Sequence, residues 1–239
     1  MLEIQDHGAV REIRLDRPPA NALNGELIDA LTAALQTAGK EADAVVISGA
    51  GRLFCAGLDV PELLQLDRSR FAVLWDAFTG LMQIIATLPV PVVFAMQGHA
   101  LAGGALLALF GDYRIMPRGP FKTGLNEVQV GLIAPTPVHQ ALVRLVGPNR
   151  AGQMLVSGEV MDAEKAHAIG LVDELADTPA VRRFALETLA RGAGAFILPG
   201  PTQRVDFSPD GRWLAYGSNV SGRFEVYVRP YPGSGPGQA

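Results

Sequence analysis

The chain has 239 residues, of which 49% are hydrophobic and 18% charged, with a formal net charge of −4. That balance gives one sizeable core and excludes a disordered or fibrous chain, and with no basic run it argues against nucleic acid as the main partner. A single cysteine excludes an intramolecular disulfide framework and fits a reducing cytosol, and no apolar run approaches ~18 residues, so neither export nor a membrane span is expected and the protein is read as cytoplasmic.

In chain order, Ala9 to Leu15 alternates roughly between apolar and charged residues, which predicts an early strand. Asp16-Arg-Pro-Pro19 then makes a turn. Asn24 is a plausible N-cap for a helix to about Ala38, with Leu27, Leu31 and Leu35 on one face. Val45 to Ile47 is wholly apolar, as expected of a buried parallel strand. A helix through Phe71 to Leu88 is stopped by Pro89-Val-Pro91, which starts the next strand. Beyond Pro137 the chain turns helical: His139 to Val146, a segment opened by Pro148, and a short helix behind the cap-like Asp162 that ends at Gly170. This alternation of strand and helix predicts an α/β fold.

Two glycine turns stand out. Gly51 to Asp59, GRLFCAGLD, follows the strand-like run Ala44 to Ser48, and Ala102-Gly103-Gly104 leads from a second such run into the apolar Ala105 to Phe110. Each junction offers unpaired backbone N–H groups, and two such groups can form an oxyanion hole. The spacing is neither that of a phosphate loop nor of a dinucleotide fingerprint. The histidines at 7, 99, 139 and 167 have no ligand spacing, so no metal is expected. Cys55 lacks a nearby basic partner and reads as a small buried residue rather than a nucleophile. Glu127 sits among Leu125, Asn126, Val128 and Val130; local sequence alone favours a solvated loop glutamate.

Taken together in order, FCAGLDV, GHALAGGALLAL, GLNEVQVGLIAP and SGEVMDAEKAHAIGLVDEL resemble the crotonase (enoyl-CoA hydratase/isomerase) superfamily over roughly residues 1 to 195. The resemblance implies a spiral of ββα repeats, assembly as a homotrimer or hexamer, and an acyl-CoA thioester as substrate with no further cofactor. It places the oxyanion donors at Ala56 and Gly103, lays Ala56, Gly57, Leu58, Asp59 and Val60 along the CoA, with Asp59 as a buttress of the turn, and makes Glu127 the catalytic carboxylate. Two-glutamate hydratases carry a second glutamate three residues after the oxyanion glycine, and here that position is Leu106. One carboxylate suffices to move a proton from C2 to C4 of a 3-enoyl-CoA, and the motifs are more similar to 3,2-trans-enoyl-CoA isomerases, so an isomerase is expected. The alternatives are hydration or another crotonase reaction, and a catalytically disabled chain.

The composition changes near the end: three of four tyrosines and one of two tryptophans lie after residue 205. Residues 196 to 205 form a junction, and 206 to 239 read as a β-hairpin, Asp206 to Tyr216 and Gly222 to Arg229, followed by a Gly/Pro-rich tail. FSPDG with an aromatic strand resembles a single TolB-type β-propeller repeat, standing where crotonases have C-terminal helices.

Overall fold

The computed structural model describes residues 1–51, 53–177, 181–190, 205–207, 213–218 and 225–230. It divides into two compact units, Met1–Ala195 and Phe196–Ala239. The first opens with the antiparallel pair β1 (Leu2–His7) and β2 (Val10–Leu15), and helix α1 (Gly25–Glu41) follows. Asn24 does cap α1, its side-chain oxygen accepting from the Leu27 N–H at 3.0 Å. The helix runs through Gly39 to Glu41 because Leu27, Ile28, Leu31, Leu35 and Ala38 bury one stripe.

Next come β3 (Ala44–Gly49), β4 (Leu53–Cys55), α2 (Val60–Leu63), α3 (Arg68–Thr87), β5 (Val92–Ala95), β6 (His99–Leu101), α4 (Gly103–Ala108), β7 (Tyr113–Pro117) and β8 (Lys122–Gly124). A 3₁₀ turn, Glu127–Val130, leads to α5 (Thr136–Val146) and α6 (Pro148–Ser157), the latter starting on proline as expected. The unit continues through β9 (Val160–Asp162), α7 (Ala163–Ala168), β10 (Glu174–Ala176) and α8 (Val181–Ala190). Asp162 caps α7 by accepting from the Lys165 N–H at 2.8 Å.

Each of the pairs β3/β4, β5/β6 and β7/β8 sends its first strand to one sheet and its second to another. The larger sheet has the order β1-β2-β3-β5-β7-β10 and the smaller β4-β6-β8-β9. Successive ββα turns therefore stack two sheets side by side, the spiral the motifs imply. Side-chain alternation splits the larger sheet by face. Ile13, Leu15, Val45, Ile47, Val92 and Phe94 join the main core with α1 and α3. On the other face Val10, Val46, Val93, Ala95 and Ile115 are buried beside Val181 and Ala185 of α8, which packs across β2, β3, β5, β7 and β10.

Helix α8 is also fastened by charge. Glu12, 1% exposed, accepts from Ser48 Oγ at 2.6 Å and from both Arg182 Nε at 2.5 Å and Arg182 Nη2 at 2.6 Å. Burial alone would raise its pKa, but the bonds from Arg182, Ser48 and His7 outweigh that and hold it below the usual value.

In the second unit, β11 (Val205–Phe207), β12 (Trp213–Ser218) and β13 (Glu225–Pro230) form a three-stranded antiparallel sheet. The expected first strand of a hairpin, Asp206 to Tyr216, is thus two strands. The segment 208–212, most of FSPDG, lies outside the described residues, as do 178–180 and 191–195 at the ends of the helix expected over Thr178 to Ala195. Among the described residues no helix is long and apolar enough to cross a membrane.

Candidate active site

Strands β4, β6 and β8 run parallel and adjacent, so the segments leaving their C-terminal ends converge. β4 delivers the turn Ala56 to Asp59, β6 delivers Ala102 and Gly103, and β8 delivers Asn126 and Glu127. The first two turns touch through their backbones. A β-carbon on Gly57 would lie 2.8 Å from Ala102 Cβ and 2.9 Å from Gly103 N, and the Gly57 φ of 96° favours glycine independently. A β-carbon on Gly103 would lie 3.3 Å from Leu58 N. Ala102 enters α4 at φ 45°, ψ −125°, an uncommon backbone state for alanine.

The hydrogen bonds decide which amides are available. Ala56 N–H donates to the Ala20 carbonyl at 3.1 Å. It ties the turn to the N-terminal segment, so the expectation that Ala56 supplies an oxyanion donor is corrected. Two residues on, Leu58 is bracketed: Leu23 N–H donates to Gly57 O at 2.8 Å and Asp59 N–H donates to Leu23 O at 2.9 Å. In a planar trans peptide the C=O and the following N–H point in opposite directions. Because Gly57 C=O faces Leu23, Leu58 N–H faces away from it. Among the described residues neither Leu58 N–H nor Gly103 N–H donates a hydrogen bond, and the two lie side by side.

Glu127 opens the 3₁₀ turn and is 8% exposed. Both its carboxylate oxygens are buried without a hydrogen-bond partner, and Asn126 Oδ1 is in the same condition. Asn126 holds the N-cap position yet makes no side-chain capping bond. Burial raises the Glu127 pKa against an opposing contribution from its own backbone N–H. Leu106, on α4, is 1% exposed and belongs to the core.

The remaining residues of the two turns are committed elsewhere. Asp59 divides its carboxylate, Oδ1 capping α2 through the Glu62 N–H at 3.2 Å and Oδ2 meeting Arg17 Nη1 at 2.8 Å. Val60 is the first residue of α2. Cys55 is fully buried, its thiol pushed up to about 12 by burial against a weak opposing bond from Gly57 N–H; it has no basic neighbour to activate it. Among the described residues no three His, Cys, Asp or Glu side chains gather to hold a metal ion.

Residues 5–195 match the enoyl-CoA hydratase/isomerase family. The chain belongs to that family. Among curated relatives of this enoyl-CoA hydratase/isomerase chain is the Mycobacterium tuberculosis protein named "Probable enoyl-CoA hydratase EchA17", 35% identical over 173 residues. The match takes in 72% of this chain and 66% of that relative's length. A Rhizobium meliloti protein named "Probable enoyl-CoA hydratase" is 34% identical over 201 residues, 83% of this chain and 77% of the relative. Among solved structures, the Bacillus anthracis enoyl-CoA hydratase superposes with a TM-score of 0.76 at 28% identity, covering 80% of this chain and 75% of that one. The Mycobacterium smegmatis enoyl-CoA hydratase gives 0.74 at 30% identity, covering 80% and 76%.

Within this enoyl-CoA hydratase/isomerase fold, the structure brings together Gly57, Leu58 and Gly103 directly, and Glu127 stands on the 3₁₀ turn that follows the neighbouring β8. Sequence reasoning did not single out the Leu58 amide as an unbonded N–H, although the residue was expected along the CoA. No residue-type signal could have found it, because an amide's direction depends on where the preceding carbonyl is bonded. Asn126 was also missed, and its signal was present: an asparagine directly before the candidate carboxylate, at the head of a short turn.

Proposed function

We propose that the chain is an acyl-CoA double-bond isomerase that moves a 3-enoyl-CoA double bond to the 2-position. The observation that supports this most is the state of Glu127: a buried, raised-pKa carboxylate with both oxygens unpartnered, whereas Asp59, on the turn after β4, is already bonded through both of its oxygens. In this reading the thioester oxygen accepts from Leu58 N–H and Gly103 N–H. Glu127 takes a proton from C2, and the electron pair left behind delocalises as a dienolate with its charge on that oxygen. Each donor is worth roughly 3–4 kcal/mol at that stage. Glu127 then returns the proton at C4, leaving the C2–C3 double bond. A desolvated carboxyl near neutrality is suited to both transfers. The atoms balance without any cofactor.

Hydration of a 2-enoyl-CoA is the second reading. It is favoured by the relatives' names and by Asn126, whose buried, unpartnered amide oxygen could hold a water beside Glu127. Against it stands Leu106, an apolar core side chain where a second proton-transfer group is needed. The test is conversion of 3-enoyl-CoA to 2-enoyl-CoA, followed by absorbance of the conjugated thioester, for the wild-type chain and Glu127→Gln. Formation that vanishes in the variant supports isomerisation. Consumption of 2-enoyl-CoA instead supports hydration, and turnover that survives in Glu127→Gln removes Glu127 from the mechanism.

A further inference from the structure

The Leu58 amide is aimed by one backbone bond, Leu23 N–H to Gly57 O, and the surroundings of that bond show what holds it. Segment 17–23 lies alongside segment 53–59, and three groups lace them together. On one side the Asn21 side-chain amide reaches the carbonyls of Leu53 at 3.0 Å and Phe54 at 3.1 Å, and Ala56 N–H reaches Ala20 O. On the other side stands Arg17. Its Nη1 donates both to the Ala22 carbonyl at 3.0 Å and to Asp59 Oδ2 at 2.8 Å. Ala22 immediately precedes Leu23, and Asp59 immediately follows Leu58. One guanidinium nitrogen therefore clamps the two strands of chain that flank the Leu23–Gly57 bond.

We propose that Arg17 is a positioning residue for the oxyanion donor at Leu58, acting through Ala22 O and Asp59. The proposal rests on the oxyanion reading above. Arg17 suits the task because its guanidinium is planar and always charged, so two acceptors on different segments are held at a fixed separation. The clamp is not a surface ion pair of negligible value: the side chains of Arg17 and Asp59 are 24% and 16% exposed. It is also distinct from turn formation as such, since Asp59 Oδ1 caps α2 without help from Arg17. Losing Arg17 frees the Ala22–Leu23 peptide to move against Gly57. Tilting the Gly57–Leu58 peptide swings the donor off the developing oxyanion while leaving Gly103 N–H in place.

The test compares wild type with Arg17→Met, Arg17→Lys and Asp59→Asn, the last keeping an oxygen to cap α2. Two quantities are read: kcat and KM for a 3-enoyl-CoA, and the absorption maximum of a bound 2,4-dienoyl-CoA, which moves to longer wavelength as its carbonyl is polarised by hydrogen bonds. Arg17→Met should lower kcat about 10- to 100-fold, the cost of a misplacement of roughly 1 Å, with KM changed far less and the red shift of the bound ligand diminished. Arg17→Lys should recover part of both, and Asp59→Asn should fall between Arg17→Met and wild type. A loss confined to KM with the full red shift retained would overturn the proposal, as would unchanged kcat. If Arg17→Met does not fold, Asp59→Asn decides by the same readouts. If wild type turns over no 3-enoyl-CoA, the isomerase reading fails, and the red shift alone still decides whether Arg17 aims the donor.

Discussion

Glu127 should weaken the fold that carries it. Its two carboxylate oxygens are buried with no partner, and an unsatisfied buried polar group costs about 1–3 kcal/mol, more when charged. Replacing it with leucine removes both unsatisfied oxygens and should therefore stabilise the first unit by about 1–3 kcal/mol near neutral pH. For a domain of this size that is roughly 3–10 °C in Tm. The gain should depend on pH in a defined direction. The folded-state pKa is raised from the ordinary 4.5, so the folded state binds the proton more tightly than the unfolded one. Below 4.5 the group is neutral in both states and the ionic penalty is absent. As pH rises from 4.5 toward the folded-state value, the wild type loses stability, and above that value the full penalty is present. Urea denaturation followed by circular dichroism at pH 4, 6 and 8 should show the advantage of Glu127→Leu growing with pH and then levelling. A variant less stable than wild type throughout, or an advantage equal at pH 4 and pH 8, would refute the reasoning.

Removing the cationic partner of a buried carboxylate should do the reverse. Arg182→Ala leaves Glu12 buried and short of its main partner, which should cost about 3–5 kcal/mol; Glu12→Gln in the same background should recover part, measured by chemical denaturation. Because the Glu12 pKa is held below the usual value, its contribution is present above the unfolded-state pKa and lost as pH falls through the folded-state one, so the wild-type advantage over the double variant should shrink in acid. Gly104→Ala sets a methyl 2.6 Å from Cys55 Cβ and 2.7 Å from Cys55 O. Separating α4 from β4 to admit it should cost about 1–3 kcal/mol and lower kcat more than KM, read by denaturation and steady-state kinetics together. Finally, Cys55, buried with its thiol pushed up to about 12, should resist alkylation by iodoacetamide at pH 8 in the native chain and react promptly in urea, as followed by mass.

Features governed by local rules were legible in the sequence. Asn24 and Asp162 cap helices because a short side-chain oxygen meets an orphan N–H wherever a helix begins. Val45 to Ile47 is buried on both faces because a central parallel strand has no solvent side. What failed lacked such a rule. Strand β1, Leu2–His7, is almost wholly exposed at the sheet edge and shows no apolar alternation. The strands of the smaller sheet are each three residues long, too short to display a period. At the candidate site, the Gly103 turn and Glu127 were singled out through the resemblance of motifs whose residue types matter. The second donor was expected at Ala56, whose N–H is bonded to Ala20 O; that the unbonded amide is the one at Leu58 turns on which carbonyl Leu23 occupies, a contact spanning more than thirty positions in the chain.

Main-chain donors have a consequence for how such a protein tolerates change. If the amides at 58 and 103 are the donors, as proposed, no side chain carries their hydrogen bonds, and a saturation scan would score both positions by fit alone. The chemistry would be visible instead to backbone editing: an ester in place of the Gly57–Leu58 amide deletes one N–H and leaves every side chain untouched. In evolutionary terms the same property separates two kinds of inheritance. On the proposed reading, amide donors would pass on with the fold itself, while a side-chain carboxylate such as that of Glu127 is one substitution away from being lost.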